Sequence, residues 1–169
     1  MQIRRVVTGF GADGAPTLVD GRHAYRAVVD PAGRWTENRA FGLRGEPVLD
    51  SEGEHLAVRV LGPRGEWTER RSYGADGEPV LHLEGWHRKV RRRDALRRVL
   101  EAACYDPEGR PVACREGWHR IAYAYDARGR ETSRSVFGPD GAPTLFPAEG
   151  WEERRHVVHR RRRAPGAGA

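Results

Sequence analysis

Residues 105–136 read YDPEGRPVACREGWHRIAYAYDARGRETSRSV, and the rest of the chain is built of copies of this stretch. Aligned on its leading aromatic, the same position holds Phe10, Phe41, Tyr73, Tyr105 and Phe137, at steps of 31, 32, 32 and 32 residues. A fixed period of this size marks a repeat architecture, in which each unit buries its apolar side against its neighbours.

Two turn signals recur in the units. The first is FGADGAP from Phe10, FGLRGEP from Phe41, YGADGEP from Tyr73, YDPEGRP from Tyr105 and FGPDGAP from Phe137. The second is DPAGR from Asp30, GPRGE from Gly62 and DARGR from Asp126. Proline presets the first corner of such a turn, the acid bonds back to the backbone, and glycine takes the positive φ. Between the signals lie runs of about eight residues in which β-branched and aromatic residues alternate with polar ones, the pattern of half-buried strands. The expected strands are 22–29, 54–61, 86–93, 118–125 and 151–158 in one direction, and 3–10, 34–41, 66–73, 98–105 and 130–137 returning.

The chain thus opens on a returning strand and closes on an ascending one. Pairing of 3–10 with 151–158 would complete a fifth unit and remove two exposed edges. The expected fold is all-β: five repeats in an antiparallel ten-stranded ring or short barrel, with an open twisted ribbon of hairpins as the alternative. One domain spans 1–159, with units near 10–40, 41–72, 73–104, 105–136 and 137–159, the last completed by 1–9. Residues 160–169 read as a disordered basic tail. In the third unit Arg97 stands where the second-turn glycine belongs, and DALRRVLEAA is made of good helix formers. Residues 94–103 therefore offer a short helix or a hairpin, and register with the neighbouring copies favours the hairpin.

Composition bounds the function. Of 169 residues, 38% are hydrophobic and 32% charged, which suits thin repeat units better than a thick core. The net charge of +6 is concentrated: Arg160–Arg163 carry +4, and the segment from Arg88 to Arg98 has seven basic residues and one acid. A single lysine, Lys89, accompanies 29 arginines, a bias that matches GC-rich coding. Two cysteines are too few for a disulfide framework. The N-terminus lacks an apolar run of signal-peptide length and nothing approaches a membrane span, so a cytoplasmic protein of bacterial type with no membrane partner is expected.

The returning YDARGRET (125–132), together with FGPDGAP and the Gly-Trp-His elements, resembles bacterial tandem β-hairpin repeats. The nearest likenesses are the YD repeats of RHS-type proteins and, more loosely, the repeats of WG-type and MORN-variant families. The resemblance implies binding, scaffolding or encapsulation, and it carries over no catalytic residue.

Four constellations are candidates for function. His23, His55, His87 and His119 share one register, with Glu152 in the fifth unit; in a closed ring they would face one axis and could hold a metal or an anion. As repeated architecture, each histidine instead bonds a loop carbonyl. Cys104, Cys114, His87 and His119 form a Cys₂His₂ set of zinc-ligand type if Cys104 lies opposite His87; otherwise no cofactor is expected, and both cysteines are packed thiols. Arg88, Lys89, Arg91, Arg92 and Arg93, with Arg160, Arg161, Arg162 and Arg163, form a polyanion patch, and Trp86 and Trp118 could stack on bases. Finally, Trp35, Phe41, Trp67, Tyr73, Trp86, Tyr105, Trp118, Phe137 and Trp151 are expected on one side with Glu37, Glu69 and Glu101, and Arg26 facing Glu37. Together these point to a non-catalytic module that binds or scaffolds a protein or small ligand. Nucleic-acid binding and a zinc site or zinc enzyme are the alternatives.

Overall fold

In the computed structural model, which describes residues 2–7 and 9–145, nine strands follow one another in chain order. They are β1 (Gln2–Val7), β2 (Ala24–Val29), β3 (Trp35–Phe41), β4 (Leu56–Leu61), β5 (Trp67–Tyr73), β6 (Arg88–Arg93), β7 (Val99–Tyr105), β8 (Arg120–Tyr125) and β9 (Glu131–Phe137). All pair antiparallel, each with its neighbour in sequence, in one meander sheet. Among the described residues the sheet is open: β1 pairs only with β2, and β9 only with β8. The strand expected at 151–158, on which closure depends, lies outside the described residues, as do Trp151, Glu152 and Arg160–Arg163.

The long hairpins are closed by the turns the sequence announces. In the first, the Gly33 N–H donates to Asp30 C=O and Asp30 N–H to Arg34 C=O. Asp30 Oδ1 accepts the N–H groups of Ala32 and Arg34, and Oδ2 accepts from Arg34 Nε. The same bonds recur at Asp94 with Arg98 and at Asp126 with Arg130. Residues 94–103 are accordingly turn and strand rather than helix. Arg97 takes the left-handed conformation there at φ 67°, where neighbouring units have Gly33, Gly65 and Gly129 at 77–83°.

Each long hairpin carries a β-bulge one step from its turn, between Val28/Val29, Val60/Leu61, Arg92/Arg93 and Ala124/Tyr125. One extra residue on the returning strand reverses which side its neighbours face. The bulge divides the aromatic rows. Trp35 pairs with Val29 and Trp67 with Leu61, whereas Phe41 pairs with Ala24 and Tyr73 with Leu56. Val29 and Ala24 differ by an odd number of residues along β2, so the tryptophans lie on one face and the Phe/Tyr row on the other. The expected single aromatic face is therefore two. The expected Arg26–Glu37 pair is also displaced: Arg26 lies opposite Arg39, and Glu37 bonds Arg39 instead.

The front face, with Trp35, Trp67, Cys104 and Ile121, is covered by the loops between hairpins. There Trp86, Trp118 and Cys114 pack on Ala102, Cys104, Ile121 and Val136 to make the core cluster. On the back face the Phe/Tyr row is paired with arginine. The guanidinium of Arg26 lies over Phe41, Arg88 over Tyr105 and Arg120 over Phe137, while Arg88 reaches Glu69 and Arg120 reaches Glu101.

Candidate functional site

The four histidines are fixtures of the unit. His23, His55, His87 and His119 each donate the backbone N–H to the last residue of the next returning strand (Phe41, Tyr73, Tyr105 and Phe137). Each ring also meets the leading aromatic of its own unit edge-on, at centroid distances of 5.2–5.7 Å. His87 Nδ1 lies 2.8 Å from Ser72 C=O and His119 Nδ1 2.7 Å from Cys104 C=O; a carbonyl only accepts, so Nδ1 carries the proton in both. The histidines therefore work one per unit and do not converge.

Cys104 and Cys114 do meet, both buried and reduced. Cys104 lies opposite Lys89, however, two residues from the expected partner His87. Two one-residue shifts add up to the slip: Arg93 pairs with Val99 and not with Arg98, and the bulge between Arg92 and Arg93 supplies the second. Among the described residues no group of three or more His, Cys, Asp and Glu side chains is arranged to hold a metal ion. The Cys104 thiol donates to Cys114, which raises its own pKa and lowers that of Cys114 to about 7, with the backbone N–H groups of Glu116 and Trp118 adding to the second effect.

That position in the unit has a defined task. Asp50 Oδ1 accepts the N–H groups of Glu52 and Glu54 in the loop turn, and His82 Nδ1 accepts that of Glu84. Cys114 stands at the same place one unit on. Its turn closes in the same way, with Gly117 N–H on Cys114 C=O as Gly53 N–H is on Asp50 C=O. Sequence reading passed over His82. Its ring stacks on Trp86 at 4.2 Å, and its Nε2 lies 3.3 Å from Glu52.

The basic patch separates into two parts. Arg88 and Lys89 are occupied. Arg88 is held by Glu69 and Tyr105; Lys89 Nζ is 2.9 Å from Glu84 and sits over Trp86 and Trp118. Those tryptophans are themselves nearly inaccessible, at 1% and 4% exposure, with their indole N–H groups on Glu84 and Glu116, so they are not platforms for bases. Lys89 and the Trp86 indole hold Glu84 against the opposing effect of burial, at a pKa of about 2.

The other part, Arg91–Arg93, lies at the hairpin tips. Together with Arg64 it lines a concavity of about 460 Å³ between the β4–β5 and β6–β7 turns, to which Pro63, Glu66, Thr68, Asp94 and Ala95 contribute. Four arginines against two carboxylates leave the lining at +2. Asp94 is taken by Arg98, and Arg64 and Arg93 bond the carbonyls of Ala95 and Arg97. Neither Arg91 nor Arg92 has a carboxylate partner among the described residues. Arg91 lies over the Trp67 ring at 3.9 Å, and burial followed by the nearby Arg93 lowers its pKa from the usual guanidinium value. No protein-family model and no curated protein matches the chain.

Proposed function

We propose that the protein is a non-catalytic binding module that takes an anionic ligand, of the phosphate-bearing polymer type, at the tips of hairpins β4–β5 and β6–β7. The observation that carries this reading is the tip concavity itself. Its lining holds four arginines, and none of them is paired with a carboxylate among the described residues. Arginine suits such a ligand because its planar fork bonds phosphate oxygens in pairs. Arg91 is steadied by Trp67 and so loses little freedom on binding. Closure of the sheet into a ring would not alter this reading, because the concavity is built by β4–β7, away from both sheet edges.

Elution from immobilised heparin tests it. The comparison is between the full chain and Arg64→Gln/Arg92→Gln, each in a background with Arg160–Arg163 changed to Gln so that the tail contributes nothing. The double variant should elute at clearly lower salt, while Arg128→Gln at the β8–β9 tip should elute with the parent. Equal elution of all three would contradict the reading.

A further inference from the structure

A second, polar pocket lies on the front face under the loop turn at Asp50, with a volume of about 190 Å³. Its origin is visible in the repeat. The residue before the repeated histidine projects over the front face in these four units, and it is Arg22, Glu54, Trp86 and Trp118 in turn. In the later units the two tryptophans fill the layer with indole. In the first two units an arginine and a glutamate stand there, and a cavity remains between them and the sheet.

The acids of this pocket are all engaged. Asp50 is held by Arg22 at 2.8 Å, Glu52 by Arg70 and His82, and Glu54 by Arg70 and Ser72. Arg59 is the cation left over. Its guanidinium carbon lies over Trp35, 3.3 Å from the ring centre, and no carboxylate forms an ion pair with it among the described residues. Its Nε is buried without a protein partner, as are Arg22 Nε, Arg70 Nε and Asn38 Oδ1, and all four residues line this one pocket. Burial, followed by the charge of Arg70, lowers the Arg59 pKa to about 10.

We infer that this pocket is a binding site for a small monocarboxylate, held edge-on by Arg59. The guanidinium edge and a carboxylate match as two parallel N–H···O bonds. Asn38, with its amide turned over, presents an NH₂ group to the same anion. The volume is below the roughly 300–1,000 Å³ of sites for drug-sized ligands, so only a small molecule enters. The three carboxylates in the wall disfavour a dianion and admit a single negative charge.

This site stands apart from the tip concavity, and its test is independent. The Arg59 side-chain Nε–H signal is followed by NMR during separate titrations with propionate and with inorganic phosphate at pH 7.5. Propionate should give a saturable shift, and phosphate should bind at least tenfold more weakly. Arg59→Ala should abolish the propionate response. That variant is expected to fold, because Ala27 occupies the equivalent place in the first unit, and amide dispersion of its spectrum checks this. Arg64→Gln/Arg92→Gln should leave the response intact. A linear or absent shift would mean a cavity holding solvent only, and an equal or stronger phosphate response would mean a general anion site; either overturns the inference. So would a propionate response that persists in well-folded Arg59→Ala.

Discussion

At the scale of single residues, the unit is defined by positions whose occupants change while their task stays. Asp50, His82 and Cys114 all accept turn N–H groups, and Gly33, Gly65, Arg97 and Gly129 all supply a left-handed corner. Arg97 meets that demand with a side chain poorly suited to it, since a non-glycine residue at positive φ is strained. Arg97→Gly should therefore stabilise the protein by about 1 kcal/mol, read as a rise in the urea midpoint at unchanged slope. Trp86, by contrast, is 1% exposed at the centre of the core cluster. Trp86→Ala should cost about 3–5 kcal/mol, measured by the same denaturation.

At the scale of elements, the turns tie folding to pH. Asp30 has its pKa lowered chiefly by the Arg34 side chain, and Asp126 by the Arg130 backbone N–H. At Asp94 and Asp106 burial opposes the shift, and the hydrogen bonds of Arg98 and Arg110 outweigh it. A carboxylate whose folded pKa lies below its unfolded one adds stability at pH above the unfolded value, about 3.9 for aspartate. That contribution is lost as pH falls through the lower folded value. Thermal midpoints should hold steady from pH 7 to 5 and drop below pH 4. Asp126→Asn should lower the midpoint at pH 7 and lessen the difference between pH 7 and pH 3; an unaltered difference would assign the acid loss elsewhere.

The elements also show what the sequence reveals and what it hides. Turns and strand positions were legible because Asp-Pro-x-Gly and Pro-Asp-Gly act within four or five residues, and β2–β9 fall inside the expected runs. Which residue faces which was not legible, because one bulged residue reverses a face without disturbing composition. The signal was present in Trp-Thr at 35–36 and 67–68, where the alternation breaks beside the turn, and Thr36 and Thr68 each bond a carbonyl of the facing strand. The bulge, together with a turn one residue longer than expected, moved Cys104 from His87 to Lys89. The Arg59 pocket was hidden for a different reason: it is made by what the first two units lack relative to the later ones, the pair of tryptophans.

For the whole molecule, one meander sheet is loaded asymmetrically. Its front face passes from ion pairs around Arg70 to an indole and thiol core around Trp86, Cys104 and Trp118. Many of its described arginines are engaged by internal carboxylates or rings, while Arg91 and Arg92 at the tip concavity, like Arg59 in the front-face pocket, have no carboxylate partner among the described residues. The high net charge is thus a poor guide to the binding surface, and the pairing of each arginine a better one. The most direct test of an anionic ligand at the tips is the salt dependence of affinity for a fluorescent single-stranded oligonucleotide, in the background lacking the tail arginines. Each phosphate contact contributes about 0.7 to the slope of log K against log salt. Arg64→Gln/Arg92→Gln should therefore reduce that slope by about 1.4 and weaken binding, whereas a slope and affinity equal to the parent's would contradict the account.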